Sequence, residues 1–547
     1  MRNVPSRDTT CVLSEHDLNE LDVKIHQSGN TTPSEQKILY IPGERHRHRP
    51  SVADSNRDNR QRILFVTTEI SDFVKAGGLG DVSSALPRAL AANYDVRVLI
   101  PAYREMVHSD LPIELVGHLP AFADLPACDI GKMTCSDGLI LYVLLCPELY
   151  EREGTPYGCA SSGYGDGQDD VWWDNDVRFA RLSRAAADIA AGKAGLEWQP
   201  QLLHLNDWPC GLAAGYLRWE GIPVQSVFTI HNLAHQGLFD VSRRAALGIP
   251  EEAFHMEGVE FHGDISFMKA GVVYASHVTT VSMTYAREIT TPEFGCGLDG
   301  LLRCKAEQGR LSGILNGIDD SWDPRTDSHL VQPFSCHDRR AKRTNADYMR
   351  YHFGLMASEG PLFAVVSRLV HQKGLDLTIE VAEAIVHAGG QIVFMGCGQR
   401  HIEDALRRLT ARYPGAIAVH IGFDESQAHR LFAGSDFLLM PSRFEPCGLS
   451  QLYAQRFGSL PIAHRTGGLA DTIEDGVTGF LFDDMTFDSY KHAIQRAFTV
   501  FHSTELFNAM QCAAMANRYH WHQSIESYSR VYQKLLEEEK VKANAVA

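Results

Sequence analysis

Ile63-Leu-Phe-Val-Thr67, Lys75-Ala-Gly-Gly-Leu-Gly-Asp81 and Val96-Arg-Val-Leu-Ile100 are the three pieces of sequence on which the fold turns. The first and third are continuous apolar runs of the kind a strand buried on both faces requires. Between them a glycine loop leads into Val82, Ala85, Leu86, Ala89 and Leu90, apolar positions at helical spacing. Strand, loop, helix and strand make a βαβ unit. Backbone N–H groups at the start of such a helix carry partial positive charge, and glycine lets a phosphate or a sugar hydroxyl approach them closely.

The alternation continues outward. Leu202-Leu-His-Leu205, Val227-Phe-Thr-Ile230 and Val278-Thr-Thr-Val281 read as further strands, with a helix from Val177 to Ala191 among them. This pattern predicts a parallel sheet with helices on both faces. A turn-rich stretch, Gly313-Ile-Leu-Asn-Gly-Ile-Asp319, and a polar run to about residue 345 mark a hinge. The pattern then restarts with Leu362-Phe-Ala-Val-Val366, a helix from Leu375 to Ala388, Gln391-Ile-Val-Phe-Met395, Ala418-Val-His-Ile421 and Phe437-Leu-Leu-Met440. The expected fold class is α/β: two Rossmann-like, doubly wound domains facing each other across a cleft, with ligands outside the carboxyl ends of the strands.

The chain has 547 residues, 44% of them hydrophobic, and a formal net charge of −17. That charge argues against a nucleic-acid or anionic-membrane partner, which needs clustered Lys and Arg. The twelve cysteines are scattered, with no Cys-x-x-Cys pair and no Cys/His spacing suited to structural zinc, so they read as reduced thiols and no metal is assigned. No apolar run reaches the roughly 18 residues that span a bilayer, and the start of the chain lacks a secretory apolar core. The expected compartment is the cytoplasm. Residues 1–60 are polar, broken by Pro33, Pro42 and Pro50, and carry a basic His/Arg cluster from Arg45 to Arg49; they read as a disordered tail.

Three loops that follow strands of the second half carry chemistry. Ser367-Arg-Leu-Val-His-Gln-Lys-Gly374 holds two cations, Arg368 and Lys373, suited to a leaving diphosphate or else simply surface charges. Pro441-Ser-Arg-Phe-Glu-Pro-Cys-Gly-Leu-Ser450 places Glu445 at an expected helix start, where it either serves sugar hydroxyls and a developing oxocarbenium ion or caps the helix. In Ser459-Leu-Pro-Ile-Ala-His-Arg-Thr-Gly-Gly-Leu-Ala-Asp471, Thr466, Gly467 and Gly468 are candidates for presenting amides to a phosphate. Asp169-Asp-Val-Trp-Trp-Asp-Asn-Asp176 has the look of a metal or glucan site, but the spacing favours a helix start with buried tryptophans.

With these motifs in order, together with His204-Leu-Asn-Asp-Trp208, His231-Asn-Leu-Ala-His-Gln-Gly237 and Leu315-Asn-Gly-Ile-Asp319, the chain from about Arg62 to about Tyr532 resembles the bacterial glycogen synthases, in the same family as plant starch synthases. The resemblance implies a GT-B fold, with an acceptor-side domain over 61–318, a nucleotide-sugar domain over 319–520 and a final helix within 521–547 crossing back. It implies transfer of glucose from ADP-glucose to the non-reducing 4-hydroxyl of an α-1,4-glucan, with retention and without a metal or other cofactor. Carried over by position, Lys75, the amides of Gly77 and Gly78, and Asp81 serve the donor; Asp207 binds a glucose hydroxyl or the acceptor; His231 lies beside the reacting glucose. Asn316 lies near the hinge, Arg368 and Lys373 hold the diphosphate, and Glu445, Cys447, Gly448 and Leu449 meet the glucose. Phe423 stands where relatives stack an aromatic ring on the adenine, although a core phenylalanine is an equal reading.

The sequence departs from the family pattern at Ala76, at Asn206 in place of a common His, at His235 in place of a Tyr, and at Tyr453, where the wider GT-B group often has a second glutamate eight positions after the first. A nicotinamide-dependent dehydrogenase is a weaker alternative. The near match to its glycine motif ends in Ser83, and the second strand is followed by Pro101 and Ala102 rather than an acidic residue. An inactive glucan-binding homologue and a UDP-glucose-using enzyme remain as further readings.

Overall fold

The computed structural model describes residues 60–159 and 171–546; the N-terminal tail through Asn59, and Asp169 and Asp170, lie outside the described residues. The first half is built on one nine-stranded sheet in the order Leu311–Gly313, His277–Thr280, Gln225–Ile230, Leu202–Asn206, Arg62–Val66, Asp95–Pro101, Ile140–Leu145, Cys128–Thr134, Glu114–Leu119. The first seven strands pair in parallel and the last two antiparallel. The parallel strands are the apolar runs read from the sequence. The antiparallel pair was not foreseen. Cys128–Thr134 and Ile140–Leu145 are antiparallel because only a tight turn, with Cys135 N–H bonded to Leu139 O at 2.9 Å and Gly138 at φ 87°, joins them, and a parallel return needs a far longer crossover.

The second half holds six parallel strands in the order Ile417–Ile421, Gln391–Gly396, Leu362–Val366, Phe437–Met440, Leu460–His464, Phe480–Phe482. Counted along the chain, that is the 3-2-1-4-5-6 arrangement of a Rossmann sheet. Each sheet therefore has a switch point where the winding reverses. In the first it lies between Arg62–Val66 and Leu202–Asn206, in the second between Leu362–Val366 and Phe437–Met440. Loops diverge there and leave a crevice.

Residues 314–338 connect the halves, ending at the helix Arg339–His352, whose N-cap Asp338 accepts the Ala341 N–H. The chain returns through the helix Trp521–Val546, whose Trp521, Tyr528, Tyr532, Leu535 and Leu536 lie in the same core as Ile63, Phe65 and Leu205 of the nine-stranded sheet. Tyr532 OH is 2.7 Å from His204 Nδ1, and Leu535 is fully buried, a burial that contributes about 1.5–3 kcal/mol. The two crossings run side by side, with Ile318 N–H donating to Tyr519 O at 2.7 Å. Among the described residues no helix is long and apolar enough to cross a membrane.

The helix expected from Val177 spans Asn175–Ala190, but the tryptophans before it are not buried. Trp173 is 85% exposed. The buried places at this helix start go instead to Asp174, paired with Arg152 at 2.6 Å, and Asp176, paired with Arg243 at 2.5 Å.

Candidate active site

At the switch point of the six-stranded sheet, Lys373 Nζ donates to Glu445 Oε2 at 2.6 Å and Ser442 Oγ donates to the same oxygen at 2.9 Å. Lys373 is not a surface cation: its side chain is 15% exposed, and that of Glu445 only 7%. Removing either partner would leave a charge stranded in a poorly solvated place. The loops that bring them together touch through Gly374, at φ 64°, where an added Cβ would lie 1.9 Å from Pro441 O. Only glycine fits there. Arg368 is half-buried and has no carboxylate partner among the described residues. Burial, and next the positive field of Arg368, hold the pKa of His235 on the opposite wall below its ordinary value.

Glu445 does not cap a helix. The helix Ser450–Arg456 begins five residues later, preceded by Leu449 and without a side-chain cap, so the Glu445 carboxylate is free of that duty and is aimed by Lys373 and Ser442. Between them, the Cys447 thiol lies against the backbone and side chain of Asn316, and burial pushes it up to about 12. Gly448 adopts φ 71°. Asn316 Oδ1 is buried without a hydrogen-bond partner among the described residues, a state that polar atoms in protein interiors rarely keep unless something else fills the place.

The facing wall comes from the first sheet. Asp207 follows the strand Leu202–Asn206 with φ 56° and ψ 178°, a strained backbone for a residue with a side chain. Its Oδ1 accepts the N–H groups of His231 at 2.9 Å and Asn232 at 3.4 Å. Burial pushes the Asp207 pKa up to about 7, with those two amides pulling the other way. Asn206 Nδ2 donates to Val66 O at 2.9 Å, which turns its Oδ1 toward His231 Nε2 at 3.0 Å, so Nε2 carries the hydrogen. Burial lowers the His231 pKa to about 3. The imidazole is neutral at physiological pH.

The first glycine motif differs from its expected use. Its helix, Gly78–Leu90, begins before Asp81 rather than after it. The Gly77 amide, with that of Ala76, donates to Glu69 Oε2 at 2.9 and 2.7 Å, so a protein carboxylate already occupies the amide expected to face the donor. Glu69 Oε1 in turn accepts Tyr157 OH at 2.7 Å. Gly78 keeps the loop close to the other half, since a Cβ there would lie 3.5 Å from Leu449 Cδ1. Lys75 Nζ pairs with Asp81 Oδ1 at 2.7 Å and stands 5.5 Å from the centre of the Phe423 ring. Burial raises the Asp81 pKa, opposed chiefly by Lys75. Phe423 is 59% exposed and is not a core residue.

The third loop is also committed internally. Thr466 Oγ1 and Gly467 N–H both donate to Glu288 Oε1 of the first half at 2.9 Å, and Gly468 N–H donates to Glu445 O at 2.9 Å. A Cβ on Gly467 or Gly468 would lie 1.9 Å from Glu445 O or 2.0 Å from Cys447 O. The glycine pair thus supports the Glu445 loop from beneath, and its amides are not offered to a phosphate. Two further contacts bridge the halves: Ser282 Oγ donates to Pro446 O at 2.5 Å, and Thr284 donates through N–H and Oγ1 to Asp471 at 2.8 and 2.6 Å.

Glu69, Tyr157, Ser442, Glu288 and Asp471 were not singled out by sequence reasoning. Glu69 and Ser442 had a signal, since each stands within three residues of a strand's carboxyl end; the contacts of Tyr157 and Glu288 depend on tertiary approach. Tyr453, at the position of a second glutamate in the wider group, stacks on Trp322 of the connector with centroids 3.6 Å apart, and Trp322 stacks on His429 at the same distance. That position anchors the connector here.

Comparison with known proteins agrees with this arrangement. Residues 62–304 match the family described as starch synthase catalytic domain, and residues 353–500 match glycosyl transferases group 1. A glycogen synthase of Pseudomonas fluorescens is 60% identical over 87% of this chain and 90% of its own length, and one of Pseudomonas putida is 57% identical over 93% and 95%. Among solved structures, the catalytic domain of starch synthase IV from Arabidopsis thaliana, bound to ADP and acarbose, superposes with a TM-score of 0.77 at 28% identity, covering 87% of this chain and 99% of that one. A sucrose-phosphate synthase from Thermosynechococcus elongatus shares the fold at a TM-score of 0.57 and 15% identity, covering 88% and 100%. The two Rossmann-like sheets are those of a GT-B glycosyltransferase, and the chain belongs to the glycogen synthase family.

Proposed function

We propose that this glycosyltransferase elongates α-1,4-glucan by moving glucose from ADP-glucose to the 4-hydroxyl at a non-reducing end, with retention of configuration and without a metal. The observation that carries the reading is the largely buried Lys373–Glu445 pair at the second switch point, with Arg368, which has no carboxylate partner among the described residues, on the same loop as Lys373, and the hydrogen-bonding wall of neutral His231 and raised-pKa Asp207 opposite. Arg368 and Lys373 take the diphosphate, whose charge grows as the bond to C1 breaks; fixed cations in a dry cleft stabilise that charge. Lys75 is available from the other wall once the diphosphate competes with Asp81. Glu445, Cys447, Gly448 and Leu449 line the glucose, and the Glu445 carboxylate stabilises the oxocarbenium-like centre. Phe423 offers a ring to the base.

As the C1–phosphate bond breaks, the acceptor O4 bonds to C1 on the same face. Its proton passes to the departing phosphate oxygen, so the nucleoside diphosphate leaves and no separate base is needed. Asp207 and neutral His231 orient hydroxyls. The ADP in the Arabidopsis relative supports an adenine donor here. The test is incorporation of labelled glucose into glycogen from ADP-glucose and, separately, UDP-glucose, with chelator present and a Glu445→Gln protein alongside. Incorporation from ADP-glucose that persists with chelator and disappears in the variant supports the reading. No incorporation from either donor overturns it in favour of an inactive glucan-binding protein, and preference for UDP-glucose overturns the donor assignment.

A further inference from the structure

Outside the cleft, one group of three metal-ligating side chains converges among the described residues. The ligand atoms of Cys336, His337 and Cys512 all lie within 4.8 Å of one another. No sequence spacing announces the group, because Cys512 comes from 175 positions beyond His337. Cys336 and His337 sit at the end of the connector, in a turn where Asp338 N–H donates to Ser335 O at 3.0 Å, just after Phe334, which is buried near Phe457. Cys512 projects from the helix Thr504–Ala516, whose Phe507, Met510 and Met515 are buried. Its Sγ already points at this turn, 3.4 Å from Cys336 O. Both segments are thus anchored by packing that does not involve the three side chains.

Two thiolates and an imidazole suit a soft tetrahedral cation. Zinc–sulfur bonds of about 2.3 Å and zinc–nitrogen bonds of about 2.0–2.1 Å put these ligand atoms roughly 3.5–3.8 Å apart, so the present cluster needs only small side-chain rotations to close. Both cysteines are half-buried and His337 is exposed, which gives an ion a path in and leaves room for a water. We propose that Cys336, His337 and Cys512 bind one zinc(II) ion, with water in the fourth position. The same two sulfurs are near enough for a disulfide, but a disulfide has no use for the converging imidazole. On binding, each thiol releases a proton to solvent. The bound ion ties the connector to the helix that precedes the return crossing, both on the second-half side of the hinge. This site is independent of the reaction proposed for the cleft.

The experiment uses the full chain, reduced, stripped of metal by chelator and kept free of oxygen. Titration with cobalt(II) is expected to raise a thiolate-to-cobalt charge-transfer band that saturates at one equivalent and is abolished by an excess of zinc(II). A Cys336→Ser/Cys512→Ser protein is expected to lose the band, while His337→Ala keeps a band at weakened affinity. Far-ultraviolet circular dichroism and glucose transfer report that each variant is folded. A band of equal size in the double variant, no band in the native chain, or isolation of the native chain with Cys336 and Cys512 joined as a disulfide that persists in a reducing cell extract would overturn the proposal.

Discussion

The second-half wall of the cleft works with full charges on side chains, whereas the first-half wall, apart from the Lys75–Asp81 pair, works with groups whose charge has been suppressed. Arg368, Lys373 and Glu445 stand on two loops, the second of them supported by a third loop whose glycine amides, at Gly467 and Gly468, are already bound within the protein. Across the cleft, burial leaves His231 neutral and brings Asp207 to about 7, while the loop amides of Ala76 and Gly77 hold Glu69. The difference suits what each wall would meet in the proposed reaction. A diphosphate needs fixed positive charge, whereas sugar hydroxyls need donors and acceptors that keep their orientation and do not repel one another. In both halves some of the glycine-loop amides are already taken by the protein's own acceptors. Glycine serves close approach of backbones at Gly374, Gly467 and Gly468, and the charge is carried by side chains on the same or neighbouring loops.

Changes at the charged wall have the largest expected effects. Glu445→Gln keeps the shape and removes the charge, and kcat should fall about 10²–10³-fold, as for loss of one preorganised electrostatic contact; single-turnover kinetics measures it. Arg368→Ala should raise the Kd for the nucleoside diphosphate about 10–100-fold, the worth of one or two charge-assisted hydrogen bonds, with a smaller change in kcat. Equal losses in kcat and binding for both variants would erase the division of labour between the two residues.

The suppressed-charge wall should reveal itself through pH. The folded pKa of Asp207, about 7, lies above its free value of 3.8. Its contribution to stability is therefore full below about pH 4 and is lost as pH rises through about 7. Asp207→Asn removes that loss, so the variant should gain on the native chain by on the order of 1–3 kcal/mol at pH 8 relative to pH 5, read as a difference in Tm. It should also lose the alkaline limb near pH 7 in kcat/KM, since the protonated carboxyl is the form that serves the wall. A native-like limb in the variant would assign the titration elsewhere. The smallest effect belongs to the contacts joining the walls. Asp471→Ala deletes two hydrogen bonds from Thr284, each worth about 0.5–1.5 kcal/mol, and should raise KM less than about tenfold with kcat nearly kept, while small-angle scattering shows a larger radius of gyration.

Much of this architecture is legible in the sequence because buried parallel strands leave uninterrupted apolar runs, as at Ile63–Val66 and Leu362–Val366, and because the loops after them carry Arg368, Lys373 and Glu445 within a few residues. The edge strand Glu114–Leu119 and its neighbour Cys128–Thr134 are less legible: polar residues and glycine break their apolar runs, and nothing local announces that they pair antiparallel. The partners of the loops were the other blind spot. Glu69 and Glu288 take amides that look ready for phosphate, and which carboxylate fills a helix start is decided by tertiary approach over 179 residues in the case of Gly467. Trp173 shows the same limit from the apolar side, since an aromatic residue beside a helix start reads as core until the buried positions are found taken by Asp174 and Asp176.

The most direct measurement is calorimetric titration of ADP into the native chain, Arg368→Ala and Glu445→Gln, matched with single-turnover glucose transfer by the same samples. Glu445→Gln is expected to bind ADP within about threefold of the native chain yet transfer glucose at least about 10²-fold more slowly, while Arg368→Ala is expected to lose ADP affinity by about tenfold or more. ADP affinity abolished in Glu445→Gln, or unchanged in Arg368→Ala, would contradict this expectation.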